Sequence, residues 1–216
     1  MTNAAARQLT GCTWDDYQSW NDDRRWEVIG GEAYEMSPAP LTRHQAVLCE
    51  LAGQLHAHFK GKPCRVWQSP TAVKLSDQDI VQPDLLVVCD ERQITRTHIE
   101  GPPSLVVEVI SEATLMHDRV RKFRLYAQSG VKEYWIVTPY PHLIEVFNLH
   151  KGSYVLVGGY GKEDMLVSPT FPTLKLDLAR VFDFRLEADE KVDVVKESRP
   201  PPYRTKSKRR VTPARA

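Results

Sequence analysis

Apolar and polar positions in this chain fall into short blocks with changing period. Thr13 is a good helix N-cap, and Asp15 and Asp16 suit the first turn of a short helix through Trp20. Trp14, Tyr17 and Trp20 recur every third residue, a stripe whose plain role is to pack that helix down. Arg25 to Met36 reads as a hairpin, RWEVI and EAYEM around a Gly30-Gly31 turn. Ser37-Pro38-Ala39-Pro40 breaks the pattern. A helix over 42–60 follows, with Leu48, Leu51, Ala52, Leu55 and Phe59 on its buried face and Gly61 and Pro63 at its end. His44 falls on that buried side near the helix start; Glu50 falls on the opposite, solvated side.

Arg65 to Leu75 and Ile80 to Val88 read as two strands joined by a turn over 76–79. Pro83 inside the second predicts a bulge or an edge position, and a bulge would re-aim Asp84. After a polar excursion over 90–103, LVVEVI has the apolar character of a central strand covered on both faces. The spacing then predicts a helix over 115–128, with Met116, Val120, Phe123 and Ala127 on one face and Gly130 as terminator. With the strand 134–137 this makes a βαβ unit of right-handed crossover. The segments 143–149 and 153–158 read as a meander, and FPTLKLDLARVF as a short strand and a turn of helix. The sum is an α/β (α+β) fold, a mixed sheet flanked by helices.

Composition adds boundaries rather than a partner. The 216 residues suit one core with tails, and a net charge of +1 gives no overall electrostatic bias. The reading is a loose terminus over 1–12, one domain over 13–186, and a basic, apolar-poor tail over 187–216 that cannot offset its ordering entropy. Cys12, Cys49, Cys64 and Cys89 show neither CxxC pairing nor metal-ligand spacing; Cys49 and Cys89 read as small core residues in a reducing, cytoplasmic setting. No apolar run approaches the ~20 residues of a membrane span, and 1–11 lacks the apolar core of a secretory signal.

The chemistry concentrates between Ile80 and Val137. Two apolar runs each carry one acid, Asp84 and Glu108. Burying a carboxylate is costly without a partner, and two on neighbouring strands repel unless a cation lies between them. Oxygen ligation favours a hard ion, Mg²⁺ or Mn²⁺, which suits water activation at a phosphodiester. His44, Lys74 and Arg119 are candidate accessory residues of such a site. Plainer readings stand beside this: Asp84 as a turn acid after proline, Glu108 as the ion-pair partner of Arg119, His44 as a satisfied core histidine.

Pro83-Asp84 followed by Glu108 in an apolar strand resembles the PD-(D/E)XK nuclease superfamily. The stretches GGEAYEMSPAP, TRHQ, VQPDLLVVCD, LVVEVIS and DRVRKFRLYAQSGVKEYWIVTP together resemble the Uma-two family of restriction endonucleases, formerly domain of unknown function 820. The resemblance spans about residues 14–178. It implies a restriction-endonuclease-like fold and metal-dependent DNA cleavage, with Asp84 and Glu108 as metal-binding acids. One position departs from the motif. A lysine belongs two residues after the second acid, and Ile110 stands there. Lys122, which matches a lysine of the family's helix stretch, is the first substitute and Lys74 the second; the plain reading of either is a solvated surface charge.

Arg119, Arg121, Lys122 and Arg124 give that helix a basic character suited to phosphates, and Lys206, Lys208, Arg209 and Arg210 add basic charge in the tail. DNA is the expected partner, and a homodimer is expected by analogy with nucleases that cut both strands. The missing lysine sustains a rival reading: a non-cleaving nucleic-acid or protein-binding module on the same fold.

Overall fold

The computed structural model describes residues 10–36, 41–111 and 114–184. The Ser37–Pro40 breaker, most of the stretch 1–12 and the tail 187–216 lie outside the described residues. Helix α1, Trp14–Ser19, starts in a capping box: Thr13 N–H donates to Asp16 Oδ2 at 2.9 Å, and Thr13 Oγ1 accepts from Asp16 N–H. Just before it, Cys12 is buried against Val28 and Ile80, with its N–H on the Gly31 carbonyl. Strands β1, Trp26–Ile29, and β2, Glu32–Glu35, form the expected hairpin. Gly30 and Gly31 both have positive φ, 58° and 75°, the conformation a tight hairpin turn of the right twist demands.

Helix α2, Thr42–Phe59, buries Leu48, Leu51, Leu55 and Phe59 as its spacing predicts; Val47 is buried with them and Ala52 is half-buried. It packs on a six-stranded sheet of order β11-β10-β9-β8-β6-β3. Those strands are β3 Arg65–Gln68, β6 Leu85–Val88, β8 Leu105–Val109, β9 Glu133–Thr138, β10 Leu143–His150 and β11 Ser153–Tyr160. A five-stranded sheet, β2-β1-β5-β4-β7, includes β4 Val73–Ser76, β5 Asp79–Val81 and β7 Ile99–Glu100. A small pair, β12 Met165–Val167 with β13 Lys175–Asp177, leads into α4, Leu178–Val181, the short strand and helical turn expected there.

Two expected strands are each divided between the sheets. Residues 65–75 split into β3 and β4 around a cis Ser69-Pro70 bond. Residues 80–88 split into β5 and β6, so Pro83 marks a passage from one sheet to the other rather than a bulge or an edge. Proline has no N–H for a ladder, which makes it a natural break.

Strands β8 and β9 run parallel, joined by a helix as expected. That helix is π-helical over His117–Lys122 before α3, Phe123–Ser129; Phe123 N–H donates to the Asp118 carbonyl, five residues back. Asp118, Lys122, Leu125 and Tyr126 are buried, while Met116 is 65% exposed, so the expected Met116–Val120–Phe123–Ala127 stripe is not the inner face. Residues of β8 alternate between two cores. Leu105, Val107 and Val109 meet α2; Val106, Glu108 and Ile110 face the π/α3 helix.

The cysteines differ from expectation as well. Cys49 is exposed, on the outer side of α2, and Cys64 and Cys89 form a disulfide at the end of the β3–β6 pair.

Candidate active site

The antiparallel register of β6 and β8 sets Leu85 opposite Val107. Continued by one residue, it brings Asp84 opposite Glu108. The two acids interlock through the main chain: Val109 N–H donates to Asp84 Oδ2 at 2.8 Å, and Asp84 N–H points at Glu108 Oε2 at 3.4 Å. Asp84 is the more accessible, its side chain 21% exposed; Glu108 is buried. His44, carried inward by the first turn of α2, places Nε2 at 3.2 Å from Asp84 Oδ2.

Lys122 joins the pair from the helix. Its Nζ lies 3.0 Å from Glu108 Oε1, 2.9 Å from Glu27 Oε1 and 3.5 Å from Asp118 Oδ1. It is buried, not a solvated helix charge. Glu108 and Ile110 share the face of β8 that this helix covers, and Ile110 is part of the apolar cluster there. A lysine at 110 would leave from that same face; the ammonium descends from the covering helix instead. Asp118 and Lys122, four residues apart, share the inner face of the π segment. Tyr126 completes the cluster, its O–H donating to Glu108 Oε1 at 2.8 Å.

The other expected residues lie elsewhere. Lys74 Nζ is 3.8 Å from Glu100 and lies over the Trp14 ring at 5.8 Å. Arg119 pairs with Glu145 on β10, which leaves Glu108 to Lys122 rather than to Arg119. Arg121 lies over the Tyr34 ring at 5.0 Å, and Arg124 is exposed.

Glu27, Asp118 and His117 were not singled out in the sequence. Glu27 carries the same signal as Glu108, an acid between apolar residues of a strand, Trp26 and Val28. Its Oε1 accepts from Gln82 N–H at 2.8 Å, and its Oε2 lies 2.9 Å from His117 Nε2.

Charge is unevenly shared in this cluster. Burial opposes ionisation of Glu27, but Lys122, His117 and the Gln82 N–H outweigh it and hold its carboxyl at about 2. Burial pushes Glu108 well above the usual carboxylate range; Lys122 pulls it down, but Asp118, Asp84 and Glu27 add to the rise. Asp118 is raised, chiefly by burial. Burial opposes the Lys122 charge, yet Glu108, Glu27 and Asp118 together hold its pKa well above the usual value. One ammonium therefore serves three carboxylates, with a fourth, Asp84, alongside.

Among the described residues no three His, Cys, Asp or Glu side chains form a metal cage. Two neighbouring carboxylates, of which Asp84 is the part-exposed one, are nonetheless a donor set that suits Mg²⁺ or Mn²⁺, which keep several waters and need few protein ligands. The excess of acids over cations here fits such an ion.

A crystal structure of "a putative nuclease belonging to DUF820" from Anabaena variabilis superposes with a TM-score of 0.64 at 17% identity, covering 79% of this chain and 97% of that one. The two share a fold, a mixed α+β architecture with sheets flanked by helices. An uncharacterized protein of Synechocystis, slr1290, is 28% identical over 156 residues, 70% of this chain and 82% of that relative. Among the described residues no helix is long and apolar enough to cross a membrane. The family model described as "Uma2: Putative restriction endonuclease" matches residues 14–179, most of the chain, and the chain belongs to that family.

Proposed function

We propose that the domain over residues 13–186 is a metal-dependent DNA endonuclease, in which Asp84 and Glu108 hold Mg²⁺ or Mn²⁺ and Lys122 replaces the lysine absent at Ile110. The observation that carries this reading is the 3.0 Å contact between Lys122 Nζ and Glu108 Oε1, made across the β8 face on which the motif lysine would stand. When bound, the ion supplies Lewis acidity and lowers the pKa of a coordinated water. The chain's own groups do the rest. Val109 N–H and His44 Nε2 fix the Asp84 carboxylate. Tyr126 O–H orients Glu108, and burial, followed by the Glu108 charge, keeps that phenol protonated. The Lys122 ammonium stabilises negative charge developing on the phosphate, where a preorganised donor in a dry site is worth far more than in water. Arg124 and the basic tail favour a phosphate backbone, and two copies would address both strands.

The test is nicking of supercoiled plasmid with Mg²⁺ or Mn²⁺. The expected result is conversion to open circles, abolished by EDTA and in Asp84→Ala. Intact plasmid held in a stable complex, with no nicking under either metal, would assign the chain to the non-cleaving rival instead.

A further inference from the structure

The stripe Trp14, Tyr17 and Trp20 does more than hold α1 down. Together with Trp26 it makes a file of rings with successive centroids 5.5, 5.7 and 5.6 Å apart, each ring half-buried. Together with Arg24 and Arg25 the file lines a concave space of about 330 Å³, within the size range of small-ligand sites. Both arginines are held in place. Arg24 lies over the Trp26 ring at 5.1 Å and pairs with Asp22 at 3.1 Å and Glu35 at 3.5 Å, ion pairs that a phosphate would compete with; Arg25 donates to Gln82 Oε1 from Nε at 3.0 Å and from a terminal nitrogen at 2.9 Å.

The same Gln82 couples this space to the carboxylates. Its side-chain amide reaches the Tyr17 hydroxyl at 2.9 Å, its backbone N–H donates to Glu27 Oε1, and Asp84 follows two residues on. Trp26 and Glu27 are consecutive on β1.

We propose that this aromatic–arginine pocket receives a nucleobase unstacked from the nucleic acid acted on at Asp84 and Glu108, so that the substrate is DNA with locally unpaired nucleotides, as in a single strand or the strained regions of a supercoiled plasmid, rather than relaxed, fully stacked duplex. The proposal rests on the nuclease reading for the identity of its ligand. Part-exposed aromatic faces offer stacking to any base, since every base has a π-face, and the two guanidinium groups answer the phosphate beside it. A base within a duplex is stacked on both sides and cannot enter such a space. A packing role alone does not explain why all four rings stay half-exposed around one concave space.

The test is fluorescence-anisotropy binding in EDTA, using the full chain and three labelled probes. These are a single strand of roughly 12 nucleotides, within the site sizes of single-strand binders, its blunt duplex, and an abasic strand with the same number of phosphates. The single strand is expected to bind on the order of tenfold more tightly than either control, with that margin lost in Trp26→Ala and in Arg24→Ala. Quenching of tryptophan fluorescence by the base-bearing strand alone is the second readout, available even if one variant fails to fold. Equal affinity for base-bearing and abasic strands, or tighter binding of the duplex, would overturn the proposal. The readout needs no metal, so a failed nicking assay would overturn the nuclease reading alone, whereas base-independent binding would overturn the pocket alone.

Discussion

Glu108 and Glu133 are both buried acids in neighbouring strands of one sheet, and they are buried in opposite ways. Glu133 is satisfied by neutral donors. Its Oε1 accepts from Trp135 Nε1 at 2.6 Å, and its Oε2 from Ser168 Oγ at 2.8 Å and Thr170 N–H at 2.9 Å. It tethers the segment before β13 to the sheet. Glu108 instead shares one ammonium with Glu27 and Asp118, beside Asp84. The parallel register of β8 with β9, together with side-chain alternation, sends the two acids to opposite faces. An acid in an apolar strand is therefore not in itself a sign of a site. The sign is an acid whose neighbours are further acids, so that the cluster holds more negative than positive charge.

The comparison breaks most sharply in activity. Glu108→Gln and Asp84→Asn are expected to bring plasmid nicking to background, while Glu133→Gln keeps the wild-type rate at temperatures where it stays folded. Loss of nicking in the folded Glu133 variant would erase the distinction.

Stability separates the regions next. A lysine that was only a solvated helix charge could be replaced at little cost to folding. Lys122 is buried instead, and Lys122→Met strands three buried carboxylates. A loss of roughly 3–5 kcal/mol in urea unfolding is expected, and adding Glu27→Gln to that variant should recover part of it. Glu133→Gln, which leaves one donor facing an amide, should cost about 1–3 kcal/mol.

The smallest effect is on pH dependence. The Glu27 carboxyl is lowered from 4.5 to about 2 in the fold. A depressed acid contributes stability that is present above its unfolded value and is lost as pH falls through its folded one. Unfolding free energy should therefore decline between about pH 4.5 and 2, and Glu27→Gln should flatten that limb. An unchanged slope in the variant would show that Glu27 does not hold its charge in the fold.

Much of the fold was legible because its signals are local. The Gly30-Gly31 turn, the spacing of α2, the unit from β8 to β9 and the β10–β11 meander all follow from period and turn residues. Which sheet a strand joins is not local, so 65–75 and 80–88 each read as one strand, although Pro70 and Pro83 marked the breaks. The inner face of the helix after β8 was misread because two of its buried positions, Asp118 and Lys122, are charged and do not register in an apolar pattern. Asp84 and Glu108 stood out as acids in apolar runs, and Lys122 through the resemblance. Glu27 carried the same signal but lies far from them in sequence, and Asp118 and His117 looked like an ordinary polar helix start. The Cys64–Cys89 pair was hidden because cross-strand register, not spacing, brings the two together.

The central claim is that the acid-rich face around Glu108 is a cation site and the Glu133 face is not. Calorimetric titration of Mn²⁺ into the wild-type chain, Asp84→Asn, Glu108→Gln and Glu133→Gln tests it directly. The account predicts a binding isotherm in the wild type and in Glu133→Gln that disappears in Asp84→Asn and Glu108→Gln. Absence of Mn²⁺ binding by the folded wild type, or unchanged binding in Asp84→Asn and Glu108→Gln, would contradict it.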